Sequence, residues 1–250
     1  MRQATRDLLA AAGLPAAYVR DLAARTLAED LGGPDGVDVT AVATIPAAQR
    51  GTGELIARAD GVLAGLAVAA AVFDLASDGE LEFTPLAEDG ARVRRDDVLA
   101  TITGPLRALL TAERNALNLL CRVSGVATHT RRWADELDGT GTTVLDTRKT
   151  TPGLRLLEKY AVRCGGGTNK RMGLYDVAMI KDNHKIAAGS ITAALFLRRF
   201  VERAKAWAHF DVYAWNPKTL PARPEGGEIQ VARLLFSMLA HGYVTQPRYI

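Results

Sequence analysis

Three short apolar stretches between residues 143 and 184 each lead into a polar loop, and this alternation constrains the fold more than any other feature. The stretches, which we predict as strands, are residues 143–145, 161–163 and 177–180, and helical patterns occupy 154–160 and 190–205. Alternating strands, loops and helices are typical of a parallel α/β arrangement. In such folds the functional groups lie on loops that follow the carboxyl ends of strands. The sequence therefore predicts an α/β fold with its chemistry on these loops.

The N-terminal half mixes helical and strand-like segments. The spacing of apolar residues predicts helices at 4–12, 16–31, 62–76 and 106–137, with a break in the last near Ser124 and Gly125. Strand-like segments are predicted at 53–58, 80–85 and 98–103. The longest apolar run, Val62–Phe73, is shorter than the roughly 18 residues that a membrane span needs. We therefore expect this run in a core helix and expect no membrane partner.

Charge is concentrated in one part of the chain. The whole sequence has 31 Lys and Arg residues against 28 Asp and Glu residues, a net charge of +3 that is too small to indicate nucleic-acid binding. Residues 141–185 contain nine basic and four acidic residues, so this segment carries +5 and the remainder −2. Cations gathered on loops attract anions, and arginine suits carboxylates and phosphates in particular. The segment therefore predicts an anion-binding site.

The cations of this segment do not all have the same expected role. For Arg155, Lys159 and Lys185 a solvated helix face is the favoured interpretation. For the cations at the loops, ligand contact and simple solvation are equally open on the pattern alone. These are Arg148, Lys149, Arg171 and Lys181.

Cysteine and histidine usage gives weaker information. Cys121 and Cys164 cannot form a disulfide framework, and with no signal peptide evident we expect reduced thiols in a cytoplasmic protein. The four histidines lack metal-ligand spacing, so no zinc site is predicted. The glycines at 165–167 fit either a phosphate-binding backbone or a flexible turn.

One long motif is more specific than these patterns. Residues 146–190 read DTRKTTPGLRLLEKYAVRCGGGTNKRMGLYDVAMIKDNHKIAAGS, and residues 109–128 read LLTAERNALNLLCRVSGVAT. Both resemble the quinolinate phosphoribosyltransferase family, also called nicotinate-nucleotide pyrophosphorylase (carboxylating). The resemblance implies an α/β fold with an α+β N-terminal sandwich domain and an incomplete α/β barrel. The implied domains are residues 1–112, the first part of the barrel at 113–194, and a segment at 195–250 that does not match.

The resemblance also implies a reaction. Enzymes of this family are pentosyltransferases of NAD biosynthesis that join quinolinate to phosphoribosyl pyrophosphate and release pyrophosphate and carbon dioxide, giving nicotinate mononucleotide. Mg²⁺ accompanies phosphoribosyl pyrophosphate. The family works as a homodimer with a shared active site. We therefore expect quinolinate, phosphoribosyl pyrophosphate and a second copy of the chain as partners.

Site residues follow by matching the motifs. Arg114 is expected to reach into the partner's site and hold a quinolinate carboxylate, while Arg148 and Arg171 hold carboxylates in the same site. The other substrate-binding candidates are Thr147, Lys170, Asp182 and His184. Lys149 and Lys181 are expected as the catalytic residues, beside the ribosyl and phosphate groups. The resemblance assigns no metal-binding residue.

The sequence departs from the family pattern in two places. Asn169-Lys170-Arg171 stands where the family commonly has Asn-His-Arg, a change that keeps positive charge. After Ala194 the family's acidic strand motifs and Ser-Gly-Gly loop are not visible. The alternative is therefore a catalytically impaired or inactive relative that binds quinolinate or dimerises without turnover. A third interpretation is another phosphoribosyl or sugar-phosphate enzyme that uses the same basic segment.

Overall fold

Two helices begin the computed structural model, which describes residues 1–181, 183 and 184, together with two short strands at 215–216 and 226–227. Helix α1 covers Gln3–Ala11 and helix α2 covers Ala16–Leu31. Pro15 precedes the first residue of α2, and Gly32 ends it in the left-handed conformation at a φ of 77°. Glycine is favoured at the position of Gly32, and Pro15, which lacks a backbone N–H, lies just outside the helix where that group is not needed. The two predicted N-terminal helices are thus confirmed.

An antiparallel sheet follows. Its strands are β1 (Arg50–Ile56), β3 (Glu82–Pro85) and β5 (Val98–Pro105), in the order β1–β5–β3. A register shift at Leu55 and Ile56 bends the outer strand. The short strands β2 (Gly61–Val62) and β4 (Arg92–Val93) pair separately. Each of the three strand-like segments predicted in the N-terminal half therefore contains or overlaps a strand.

The apolar run divides between a strand and a helix, so the prediction of one helix over 62–76 is wrong at its start. Val62 pairs with Arg92 in β2, and helix α4 begins only at Leu66 and ends at Ala76. Gly65 directly precedes the helix with a φ of 106°, a left-handed conformation that favours glycine. The Asp89 carboxylate accepts hydrogen bonds from the backbone N–H groups of Gly65 and Leu66, which would otherwise lack partners at a helix start. A short helix, α3 (Val39–Thr44), precedes the sheet.

Helix α5 is a single continuous element over Leu106–Glu136, so the predicted break near Ser124 and Gly125 is wrong. The Ser124 hydroxyl accepts a hydrogen bond from the backbone N–H of Ala64 and donates one to the Ala64 carbonyl, both at 3.0 Å. The Ser124 hydroxyl therefore forms hydrogen bonds with the backbone just before α4 rather than with the backbone of its own helix. Helix α5 packs against α4, and small residues of α5 such as Ala112 and Ala116 are fully buried in the core.

The segment after α5 differs most from the prediction. Helix α6 covers Arg155–Cys164, so the predicted strand at 161–163 is wrong. Leu157 and Ala161, one helical turn apart, are both fully buried, and this packing continues the helix to Gly165. The strand predicted at 143–145 reduces to one parallel bridge between Leu145 and Thr168.

Residues 177–180 do not form a strand either. The carbonyl of Val177 accepts a hydrogen bond from the Arg171 guanidinium at 3.1 Å, so a side chain takes the place of a strand partner there. The helix predicted at 190–205 lies outside the described residues. Strands β6 (Trp215–Asn216) and β7 (Gly226–Gly227) pair antiparallel.

The chain divides into two units, Met1–Val177 and Ala178–Ile250. The first holds elements α1 to α6 and β1 to β5, and its helices and sheets agree with the predicted α/β class. The domain bounds at 112 and 194 stay predictions. Among the helices that the structure describes, none has the length and apolar character that crossing a membrane requires.

Candidate functional site

The loop with three of the predicted site residues begins at a buried ion pair. Asp146 stands at its start, and the Asp146 Oδ1 atom accepts a hydrogen bond from the Lys159 ammonium at 2.6 Å. The side chains of Lys159 and Asp146 are only 2% and 6% exposed. The prediction of a solvated helix face is therefore wrong for Lys159, because the middle of α6 is buried on all sides and its lysine faces a carboxylate.

The same carboxylate joins this loop to a second one. The Asn169 side-chain amide donates to Asp146 Oδ2 at 2.7 Å and to the Lys159 carbonyl at 2.8 Å. The backbone N–H of Lys170 donates to Asp146 Oδ1 at 2.8 Å. Asp146 thus brings the loop that carries Thr147, Arg148 and Lys149 beside the loop that carries Lys170 and Arg171.

The other end of the first loop, at Thr151, is held by Glu158, the residue before Lys159 in α6. Glu158, which is buried, accepts hydrogen bonds from the Thr151 backbone N–H at 3.0 Å and from its hydroxyl at 2.7 Å. The Arg122 guanidinium on α5 donates to the same carboxylate at 2.6 Å. Burial alone would raise the pKa of Glu158, but the hydrogen bonds from Thr151 and Arg122 outweigh it and hold that pKa below its usual value.

Between Asp146 and Thr151, the basic side chains are exposed or half-buried. Thr147 and Lys149 are exposed, and the Thr147 hydroxyl accepts a hydrogen bond from the Lys149 backbone N–H at 3.1 Å. Arg148 is half-buried, and its Nε atom is buried without a hydrogen-bond partner among the described residues. A buried guanidinium nitrogen needs an acceptor. An anionic ligand at this loop would supply one.

The second loop presents one exposed cation and one buried cation. Lys170 is exposed, whereas Arg171 is 7% exposed and donates from Nη1 to the Val177 carbonyl. Arg155 is half-buried and donates to the Thr150 hydroxyl and to the Met172 carbonyl, both at 3.1 Å. Arg155 therefore bridges both loops and is not the freely solvated side chain that was predicted. Lys185 lies outside the described residues.

Two of the predicted site residues that the structure describes lie in the second unit. Lys181 and His184 are both exposed, and the Lys181 backbone N–H donates to His184 Nδ1 at 3.0 Å. The His184 backbone N–H donates in turn to the Lys181 carbonyl at 2.9 Å. These bonds form a local turn. Asp182, the remaining candidate here, lies outside the described residues.

Arg114 lies on α5, apart in sequence from both loops. It is exposed and lines a cavity of about 600 Å³ between β1 and α5. The cavity wall is mainly apolar, with Leu109 and Leu117 from α5, and Arg58 and Glu113 add further charges. Arg114 is therefore a solvent-accessible cation, as the predicted contact with another copy requires.

Sequence reasoning missed the residues that hold these loops in place. They are Asp146, Asn169, Glu158 and Lys159. The available signal was a Glu-Lys pair in the centre of the otherwise apolar helix segment LLEKYA, a position where a solvated charge is unusual. Asn169 gave no comparable signal.

Comparisons with known proteins agree on one family. The family model described as quinolinate phosphoribosyl transferase, N-terminal domain, matches residues 38–124, and that of its C-terminal domain matches residues 126–215. The second match continues past Ala194, where the resemblance read from the sequence ended.

Individual relatives are similar over the same part of the chain. The nicotinate-nucleotide pyrophosphorylase [carboxylating] of Mycobacterium leprae is 49% identical over 178 residues, which are 70% of this chain and 62% of that protein. Quinolinate phosphoribosyltransferase [decarboxylating] 1 of Nicotiana glauca is 43% identical over 68% of this chain and 47% of its own. The crystal structure of NadC from Streptococcus pyogenes superposes with a TM-score of 0.68 at 41% identity, over 75% of this chain and 65% of that one. The chain thus spans between about half and two thirds of the length of these relatives.

Proposed function

The chain belongs to the quinolinate phosphoribosyltransferase family, and we propose that it transfers the phosphoribosyl group of phosphoribosyl pyrophosphate to quinolinate with decarboxylation. The products are nicotinate mononucleotide, pyrophosphate and CO₂. The observation that carries this proposal is the junction at Asp146, which brings the basic residues of two loops to one place.

The charges of these loops suit the substrates. Quinolinate has two carboxylates and is a dianion near neutral pH, and phosphoribosyl pyrophosphate carries several negative charges. Bringing both into one site requires fixed cations that offset their repulsion. Lys149 and Lys170 are exposed cations of this kind. Arg148 is another, because its Nε has no hydrogen-bond partner within the described part of the chain.

We assign the individual roles from the motif match. Lys149 and Lys181 are the proposed catalytic residues, beside the ribosyl and pyrophosphate groups. Arg148 and Arg171 are proposed to bind quinolinate carboxylates. The other proposed substrate-binding residues are Arg114, Thr147, Lys170, Asp182 and His184.

The proposed reaction asks more for positioning than for proton transfer. The quinolinate ring nitrogen forms a bond to C1 of the ribose as the bond to pyrophosphate breaks. The ring nitrogen then carries positive charge, so the adjacent carboxyl group leaves as CO₂ and its electron pair stays on the ring carbon, which takes up a proton from solvent. Lysines near the departing pyrophosphate stabilise the charge that develops there.

A homodimer with a shared active site is part of the proposal. Arg114 is exposed on α5 and borders a mainly apolar cavity, so it is accessible to a second copy of the chain. A cytoplasmic location is also proposed, and the free thiols of Cys121 and Cys164 agree with it.

Magnesium is proposed as a companion of phosphoribosyl pyrophosphate. Within the described part of the chain, no group of three or more His, Cys, Asp or Glu side chains could hold a metal ion. Mg²⁺ commonly binds substrate phosphates and keeps several waters. We propose that it reaches the site on the substrate and lowers the charge that the loop cations face.

The test is the formation of nicotinate mononucleotide by the purified full chain with quinolinate, phosphoribosyl pyrophosphate and MgCl₂. We expect product that depends on all three additions, and we expect Lys149→Ala to lower the rate by at least about 100-fold. Quinolinate binding without product would support the inactive relative instead. Absence of both binding and product would reject the proposal.

A further inference from the structure

We propose that Glu158 and Lys159, two neighbouring residues of α6, hold the two ends of the loop from Asp146 to Thr151 and thereby act as positioning residues for the anion site. This inference rests on the proposed function for its substrate, quinolinate. It assigns a role to groups that touch no proposed substrate but fix those that do.

The first anchor is the ion pair between Lys159 and Asp146. Its N–O distance is 2.6 Å, and both side chains are almost fully buried. Removing two charges from water is costly, and a buried ion pair is often no more stabilising than apolar residues of similar size. The pair is therefore not explained by stability alone. Its direct effect is to fix the position of the Asp146 carboxylate.

The second anchor is Glu158, whose carboxylate accepts two hydrogen bonds from Thr151 and further bonds from Arg122. Arg122 belongs to α5, so this anchor ties the end of the loop to the longest helix of the unit. Residues 147–150 lie between the two anchors, and they include Arg148 and Lys149. Such a short segment, fixed at both ends, has few backbone conformations left.

The first anchor also sets the distance between the two basic loops. The Asp146 carboxylate accepts hydrogen bonds from Asn169 and from the Lys170 backbone as well as from Lys159. A shift of this carboxylate would therefore move both loops relative to each other. Catalytic sites lose rate steeply when their groups are misplaced by about 1 Å.

The experiment compares four forms of the full chain with the wild type. Asp146→Asn leaves one acceptor oxygen where the carboxylate uses two, and Glu158→Gln weakens the second anchor. The double variant Asp146→Asn/Lys159→Met removes both charges of the first anchor. The matched control is Tyr160→Phe on the same helix, which removes a 2.6 Å hydrogen bond to Asp89, a residue that contacts the start of α4 rather than either loop.

Three measurements are made on each form: the Tm, the quinolinate Kd by calorimetry, and amide hydrogen exchange at residues 147–150 and 168–171. We expect Asp146→Asn to raise the Kd by about 10- to 100-fold and to speed exchange in both loops. Glu158→Gln is expected to affect mainly residues 147–150. The double variant should recover much of the Tm but little of the affinity, and Tyr160→Phe should lower the Tm without changing the Kd.

Two results would overturn the inference. One is recovery of quinolinate affinity in step with the Tm in the double variant, because the anchor would then matter only for stability. The other is an equal loss of affinity in Tyr160→Phe at the same loss of Tm. If the wild type itself binds no quinolinate, the proposed function fails. In that case the inference is judged on hydrogen exchange alone, where unchanged exchange in both loops of Asp146→Asn would reject it.

Discussion

Helices α4 and α6 lie in the same unit and are both largely buried, but apolar residues dominate the buried part of α4, where Asp74 is the one buried charge, whereas two charged residues lie at the centre of α6. Residues 66–73 of α4 are Leu, Ala, Val and Phe, each at most 4% exposed. At the centre of α6, Glu158 and Lys159 are buried among Leu157, Tyr160 and Ala161. Apolar packing needs only suitable volume, whereas each buried charge needs a partner in a defined place. The comparison supports the proposal that α4 mainly maintains the fold whereas α6 maintains the geometry of the candidate site.

The largest effect is expected from a substitution that creates a cavity beside the apolar helix α4. Phe73 is 1% exposed and packs against Phe83 at a ring distance of 6.1 Å. We expect Phe73→Ala to lower the free energy of unfolding by about 3–5 kcal/mol, because it removes buried apolar area and leaves a cavity. Chemical denaturation measures this loss. Leu110→Ala, at a residue 40% exposed, is the control and should cost less than about 1 kcal/mol. Equal losses at the two positions would contradict the role assigned to α4.

The next test removes one charge from the polar helix. We expect Lys159→Met to lower the free energy of unfolding by about 3 kcal/mol, because it leaves the Asp146 carboxylate buried without its cation. The double variant Asp146→Asn/Lys159→Met should regain a large part of that loss, which a double-mutant cycle by urea denaturation would show. Additive losses would mean that the two side chains do not depend on each other.

This contrast also explains which parts of the molecule the sequence could predict. The helices α1 and α2 follow from apolar spacing with Pro15 and Gly32 at the ends of α2, and these signals are local. The start of α4 was missed because a two-residue strand pairs with Arg92, thirty positions along the chain from Val62. Residues 161–163 look like a strand when read alone but belong to the last turns of α6, where Ala161 is buried. These features depend on contacts between residues that are far apart in the sequence, which local patterns do not reveal.

The site divides in the same way. The basic loops were found because their charges are visible in the sequence, and the family motif assigned them roles. The pairing of Asp146 with Lys159 was not found, because it joins a loop to a helix whose orientation only packing decides. Lys159 was consequently predicted on a solvated face. Which side chain pairs with a buried charge is thus the part of the site that could be learned only from the structure.

A smaller effect is expected from pH at the other anchor. Hydrogen bonds from Thr151 and Arg122 hold the pKa of Glu158 below its usual value, so its stabilising contribution is fully present above the unfolded pKa of about 4.5. It is lost as the pH falls through the folded pKa. Glu158→Gln should therefore cost about 1.5–3 kcal/mol at pH 7 and progressively less at acidic pH. Urea denaturation of both forms between pH 3 and pH 7, about the range in which carboxyl groups titrate, measures the difference. A difference that does not vary with pH would show that the charge of Glu158 is not what holds the loop.

The smallest effect is expected where an ion pair has the same distance but lies in solvent. Arg92 and Asp135 approach to 2.7 Å, close to the 2.6 Å of the buried pair, yet their side chains are 65% and 42% exposed. Water and salt weaken such a pair, so Arg92→Ala should cost less than about 1 kcal/mol, and less still at high salt. Denaturation at low and high NaCl concentration checks both statements. If Arg92→Ala loses as much stability as Lys159→Met, burial does not determine the strength of these ion pairs. The special role assigned to the buried charges of α6, on which the comparison with α4 depends, would then no longer hold.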